Sequence, residues 1–121
     1  MINCILVGIG GFIGTVCRYL IGLLPVRVES GFPVKTLIIN IAGAFLISLI
    51  TALAARNKSV NPQLILMLRV GICGGFTTFS TFAYESVDLM REGSAGVAFG
   101  YILSSVILGV AAVFAAQLMI K

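Results

Sequence analysis

Four long apolar runs dominate this chain, over roughly residues 2–24, 33–55, 63–90 and 95–120. Crossing a hydrocarbon core ~30 Å thick takes about 20 mostly apolar residues in a helix, and each run is long enough. Short polar breaks separate them: Pro25 to Gly31 with Arg27 and Glu29, then Arg56-Asn57-Lys58-Ser59 ahead of Asn61-Pro62, then Arg91-Glu92-Gly93-Ser94. Only 10% of the residues are charged, against roughly 25% in soluble domains. Too few charges remain to cover a water-facing globule. The reading is an all-α membrane protein, a single four-helix transmembrane domain over residues 1–121 with little mass outside the bilayer. The first run lacks a basic leader and a small-residue cleavage pattern, so it is read as a span rather than a signal peptide.

The same inventory excludes several chemistries. There is no His, which removes the commonest general base and metal ligand. Cys4, Cys17 and Cys73 each sit in an apolar run without zinc or disulfide spacing. Lys and Arg are scattered, so no nucleic-acid stripe forms. Nothing in the sequence supports an enzyme.

Four spans place both termini and the second break on one side of the membrane. That side carries Arg56, Lys58 and Lys121, and the other carries Arg27, Lys35 and Arg91. The positive-inside bias therefore favours neither orientation. The balance is either an accident of a short chain or the mark of dual topology, with copies inserted both ways and paired antiparallel. Four helices are too few to enclose a wide pore, which favours an oligomer. Gly10/Gly14, Gly71/Gly75 and Gly96/Gly100 are small-x-x-x-small pairs suited to close contact within and between subunits.

Polar groups inside a span are costly and mark either a pathway or an interhelical bond. Thr36 and Asn40 lie four apart, on one helix face, and Tyr101 and Ser105 repeat that spacing beside Ser104. In the third run, Gly74-Gly75 is followed by Thr77, Thr78, Ser80 and Thr81. Hydroxyls of this kind compete with the helical ladder. The segment is either a helix broken near mid-membrane or a continuous helix whose hydroxyls bond back onto it. Broken backbone there would offer carbonyls to a cation and a half-helix N-terminus to an anion. Phe79 and Phe82, three apart, either pack or turn their positive ring edges toward a small anion. Glu85 continues that face as a pathway group or a partner for Arg. Arg18 and Arg69 lie within spans, where long side chains often snorkel to the interface.

These residues resemble the Fluc/CrcB family of fluoride channels along nearly the whole chain. The match runs through Gly10-Gly11-Phe12-Ile13-Gly14 with Arg18-Tyr19, through Thr36-Leu37-Ile38-Ile39-Asn40-Ile41-Ala42-Gly43, and most specifically through Gly74-Gly75-Phe76-Thr77-Thr78-Phe79-Ser80-Thr81-Phe82. The resemblance implies an antiparallel, dual-topology homodimer with two fluoride pores along the subunit interface. It implies that Phe79 and Phe82 are ring-edge ligands and that Asn40 is an amide donor to fluoride. Thr36, Glu85, Tyr101 and Ser105 would form a polar track, with Arg18 near the pore entrance. A structural sodium ion would sit at the dimer centre on the backbone carbonyls of Gly74 and Thr77. There are departures: Lys35 stands where the family often has glycine, Ser48 replaces another small residue, and Gly109 falls where some members carry a further hydroxyl.

The expected function is passive, fluoride-selective export from the cytoplasm, across a membrane of the bacterial inner-membrane type. Fluoride, membrane lipid and a second copy of the chain are the expected partners, with no organic cofactor. A proton-coupled multidrug-type exporter shares the size and span count, but it needs a carboxylate in the first span, where Arg18 is the only charged residue. A non-transporting membrane subunit would leave the Thr36/Asn40 face without a task.

Overall fold

A computed structural model describes residues 1–120; Lys121, counted above in the charge balance, lies outside the described residues. The fold is all-helical, with no strand among the described residues. The first span is α1 (Ile2–Gly22) and the second is α2 (Val34–Arg56). The third, Pro62–Arg91, is made of α3 (Pro62–Leu66), a π-helical segment (Met67–Cys73), the single turn α4 (Gly74–Phe76) and α5 (Phe79–Arg91). The fourth is α6 (Ala95–Met119). All four are long and apolar enough to cross a membrane.

The ends of these helices follow from local chemistry. Asn61 caps α3 by accepting from the Gln63 amide at 2.9 Å, with Pro62 in the first turn, where its missing N–H costs nothing. At the end of α5, Gly93 takes φ +83°, its amide donates to Met90 O at 3.2 Å, and Ser94 N donates to Leu89 O at 2.8 Å. This paired closure needs a left-handed residue, which glycine adopts freely. It turns the chain directly into α6.

Two packing relations build the bundle, α1 on the third span and α2 on α6. The first is backbone on backbone. A Cβ added at Gly10 would lie 2.9 Å from Gly71 Cα, and one at Gly75 would lie 2.7 Å from Gly11 O. Real side chains do not tolerate such distances, so two of the three glycine pairs interleave at this crossing. A Cβ at Gly96 or Gly100 instead meets nothing within 4 Å among the described residues. The α2–α6 contact is tied by Ser48 Oγ donating to Val113 O at 2.9 Å and by Arg56 Nη1 donating to Ile120 O at 2.8 Å. A small core of Leu89, Ala98 and Tyr101 joins α5 to α6, with Phe32, Leu37, Phe82 and Val97 against it. Most other large apolar side chains point outward, as lipid-facing helices require.

Candidate functional site

The site is organised around two residues. Between α4 and α5, Thr77 (φ −83°, ψ 158°) and Thr78 (φ −149°, ψ 111°) are extended. Two non-helical residues set backbone groups free, and buried backbone groups must find partners. Asn40 on α2 supplies both for Thr78: its Oδ1 accepts from Thr78 N at 2.8 Å and its Nδ2 donates to Thr78 O at 3.1 Å. Thr78 Oγ1 then caps α5 by accepting from Thr81 N at 3.2 Å. On the other side, Gly75 O accepts from Arg18 Nε at 3.3 Å and Thr15 Oγ1 at 3.5 Å. Thr77 turns back, its N and Oγ1 donating to Cys73 O at 3.1 and 3.0 Å.

Gly74 O and Thr77 O are among the carbonyls that lose their helical donors in this arrangement. In a regular helix Gly74 O would accept from Thr78 N, and Thr77 O from Thr81 N. The first amide is diverted to Asn40 and the second to the Thr78 hydroxyl.

A second group of side chains meets at Glu85. Thr36 Oγ1 donates to Oε2 at 3.1 Å and Tyr101 OH donates to Oε1 at 2.8 Å. Tyr101 is fully buried, its ring edge-on to Phe82 (centroids 5.1 Å, 64°) and to Phe32 (5.5 Å, 76°). Phe82 in turn leans on Phe79 at 5.7 Å and 55°. Glu85 thus takes hydroxyl partners, and Arg18 takes a backbone carbonyl rather than a carboxylate.

Two open cavities carry these groups. One of about 670 Å³ is bordered by Arg18, Thr36, Glu85 and the 26–28 loop; the other, about 390 Å³, is bordered by Asn40, Gly74, Thr77, Phe79, Phe82 and Ser105. Thr78 borders both. The residues singled out from sequence therefore fall into two adjoining spaces, and Tyr101 links them through Glu85 and Phe82. Ser105 Oγ is buried without a hydrogen-bond partner among the described residues. Arg69 is exposed and borders neither cavity.

Sequence reasoning named Thr78 and Thr81 only among the hydroxyls that compete with the helical ladder, not as a helix cap and the amide it serves. Their i, i+3 spacing at the start of α5 was a signal that could have marked Thr78 as a cap. It also missed the part of Lys35, whose Nζ donates to Gly22 O at 2.8 Å and Leu24 O at 3.3 Å. No sequence signal pairs those positions.

The chain is similar in sequence to a known family and to several of its members. Residues 5–117 match the family described as CrcB-like protein, Camphor Resistance (CrcB). The chain is 45% identical over 121 residues to the fluoride-specific ion channel FluC of Chlorobaculum tepidum, covering 100% of this chain and 96% of the relative. It is 46% identical over 116 residues to FluC of Agrobacterium fabrum, covering 95% and 93%. It is 48% identical over 117 residues to FluC of Ruminiclostridium cellulolyticum, covering 90% of each.

Proposed function

The chain belongs to the CrcB family, and from that premise we propose that it is a multi-pass membrane channel passing fluoride and not chloride. The observation that carries the reading is the pair of cavities meeting at Thr78, bordered by hydrogen-bond donors and aromatic edges. Fluoride enters cells as a neutral weak acid and ionises inside, so a passive exit for the anion lowers its internal level.

Selection of fluoride rests on groups that replace its hydration shell without a full countercharge. Asn40 spends one amide N–H on Thr78 O and keeps the other. Ser105 has a hydroxyl with no partner among the described residues. Phe79 and Phe82 add positive ring edges. Thr36 and Tyr101 currently spend their hydroxyl protons on Glu85, so an anion gains those donors only by displacing the carboxylate.

The working unit in this reading is an antiparallel homodimer with two pores at the interface, and the extended Thr77–Thr78 pair is a break near mid-membrane. Supporting this, Phe79 is 78% exposed although it borders the second cavity, so one wall of that space must come from elsewhere. The even division of Lys and Arg between the two faces supports insertion both ways. The Gly74 and Thr77 carbonyls, deprived of helical donors, fit a hard, oxygen-seeking cation. Gly74 and Thr77 of each copy would hold a structural sodium ion, which would supply positive charge to carbonyls that the helix leaves unpaired.

The test is efflux from liposomes loaded with fluoride or chloride salts. Rapid release of fluoride with chloride retained is expected. Equal release of both, or of neither, refutes the channel reading.

A further inference from the structure

The larger cavity has an electrostatic problem that one residue solves. Helix α1 ends at Gly22 beside this space, and Gly22, Lys35 and Arg27 all border it. The last carbonyls of a helix lack intrahelical donors and carry its negative dipole end. Left bare at the mouth of an anion path, they would repel the ion the path must admit. Lys35, the second residue of α2, covers Gly22 O at 2.8 Å, and at 3.3 Å it also donates to Leu24 O, just past the helix end, which already accepts from Val26 N at 2.9 Å. An ammonium has three N–H bonds, so one remains after these two. Lys35 is half-buried and adjoins Thr36, whose hydroxyl holds Glu85. It therefore lies where the mouth of the cavity passes into the polar track. With Arg18 and Arg27 it sets three cations against the one carboxylate, Glu85, on the lining.

We propose that Lys35 controls the rate at which this cavity captures anions, by masking the negative end of α1 and placing a cation where the polar track begins. The inference rests on the fluoride-channel reading and adds to it a residue that reverses the local sign of the potential. Lys35 acts on the anion at the mouth, before the aromatic and amide groups do. It also fastens the end of α1 to the start of α2 across the intervening loop.

The experiment compares initial fluoride efflux from liposomes containing the wild type, Lys35→Met, Lys35→Gln and Lys35→Arg. Each is read at low and at high ionic strength, between which the screening length falls from ~30 Å at 0.01 M to ~3 Å at 1 M. Lys35→Met is expected to lower efflux roughly three- to tenfold at low ionic strength. The deficit should shrink toward the wild-type rate at high ionic strength, and Lys35→Arg should keep most of the flux. Lys35→Gln offers the carbonyls a donor without the charge, so it should share the deficit even if Lys35→Met folds poorly. A Lys35→Gln rate equal to wild type at low ionic strength, or a deficit of the same size at both, overturns the proposal. A wild type that passes no fluoride overturns the channel reading as well, whereas wild-type flux with unaffected variants overturns this inference alone.

Discussion

The α1 crossing and the Glu85 site are held together in opposite ways. At the crossing, Gly10, Gly11 and Gly14 bring α1 backbone directly onto Gly71, Ile72, Gly75 and Phe76. At the site, every hydrogen bond named between α2, the start of α5 and α6 has a side chain on at least one end: a carboxylate with two hydroxyls and an amide on an extended backbone, with tilted rings beside them. A backbone contact has no rotamers and cannot yield. Side chains can exchange one hydrogen bond for another. The molecule thus fixes the position of its irregular third span from one flank and leaves the donors on the other free to change partners.

The largest expected effect lies at the fixed contact. Gly14→Val places a Cβ 2.9 Å from Phe76 N and against Ile72 O, both backbone atoms. Overpacking without relief should cost ~3 kcal/mol or more, seen as loss of monodisperse protein and of its thermal transition. Gly100→Ala, whose added Cβ meets nothing within 4 Å among the described residues, is the counterpart. It should be neutral unless a second copy lies on that face, and a Gly14→Val protein as stable as wild type would break the contrast.

Phe82→Ile comes next, and here function should move more than stability. Loss of the edge contact to Tyr101 should cost ~1 kcal/mol in thermal unfolding. Fluoride efflux should fall about tenfold or more, a barrier change of ~1.4 kcal/mol. Unchanged efflux would remove Phe82 from the anion path. The smallest effects on efflux belong to the Glu85 donors. Tyr101→Phe deletes the 2.8 Å hydrogen bond and keeps the ring, and Thr36→Val deletes the 3.1 Å one. Each should cost ~1–2 kcal/mol of stability and alter efflux by a few-fold. If either abolishes folding, the site is as unyielding as the crossing.

The spans were legible in the sequence because apolar runs of bilayer length admit few alternatives. The site residues were legible as types, since an amide, a carboxylate and hydroxyls within spans need a reason. Their partners were not. Asn40 serves the backbone of Thr78, 38 positions away, and that pairing exists only once α2 lies beside the extended pair. For Glu85, an arginine partner and a pathway role were both open, and only the tertiary arrangement puts Thr36 and Tyr101 on its two oxygens. Of the three glycine pairs, sequence could not say which two would interleave.

The order of pairing bears on how the chain matures. α1 finds its main partner in the third span and α2 in the fourth, so neither packs chiefly on the helix made next to it. Asn40 gains its partner Thr78 only with the third span, and Glu85 gains Tyr101 only with the fourth. Each helix must enter the bilayer on its own apolarity, and the interleaved assembly closes only after the last span is synthesised. Long-range pairing of this kind delays consolidation. The second hydroxyl on Glu85 is thus the last part of the site to arrive during biogenesis.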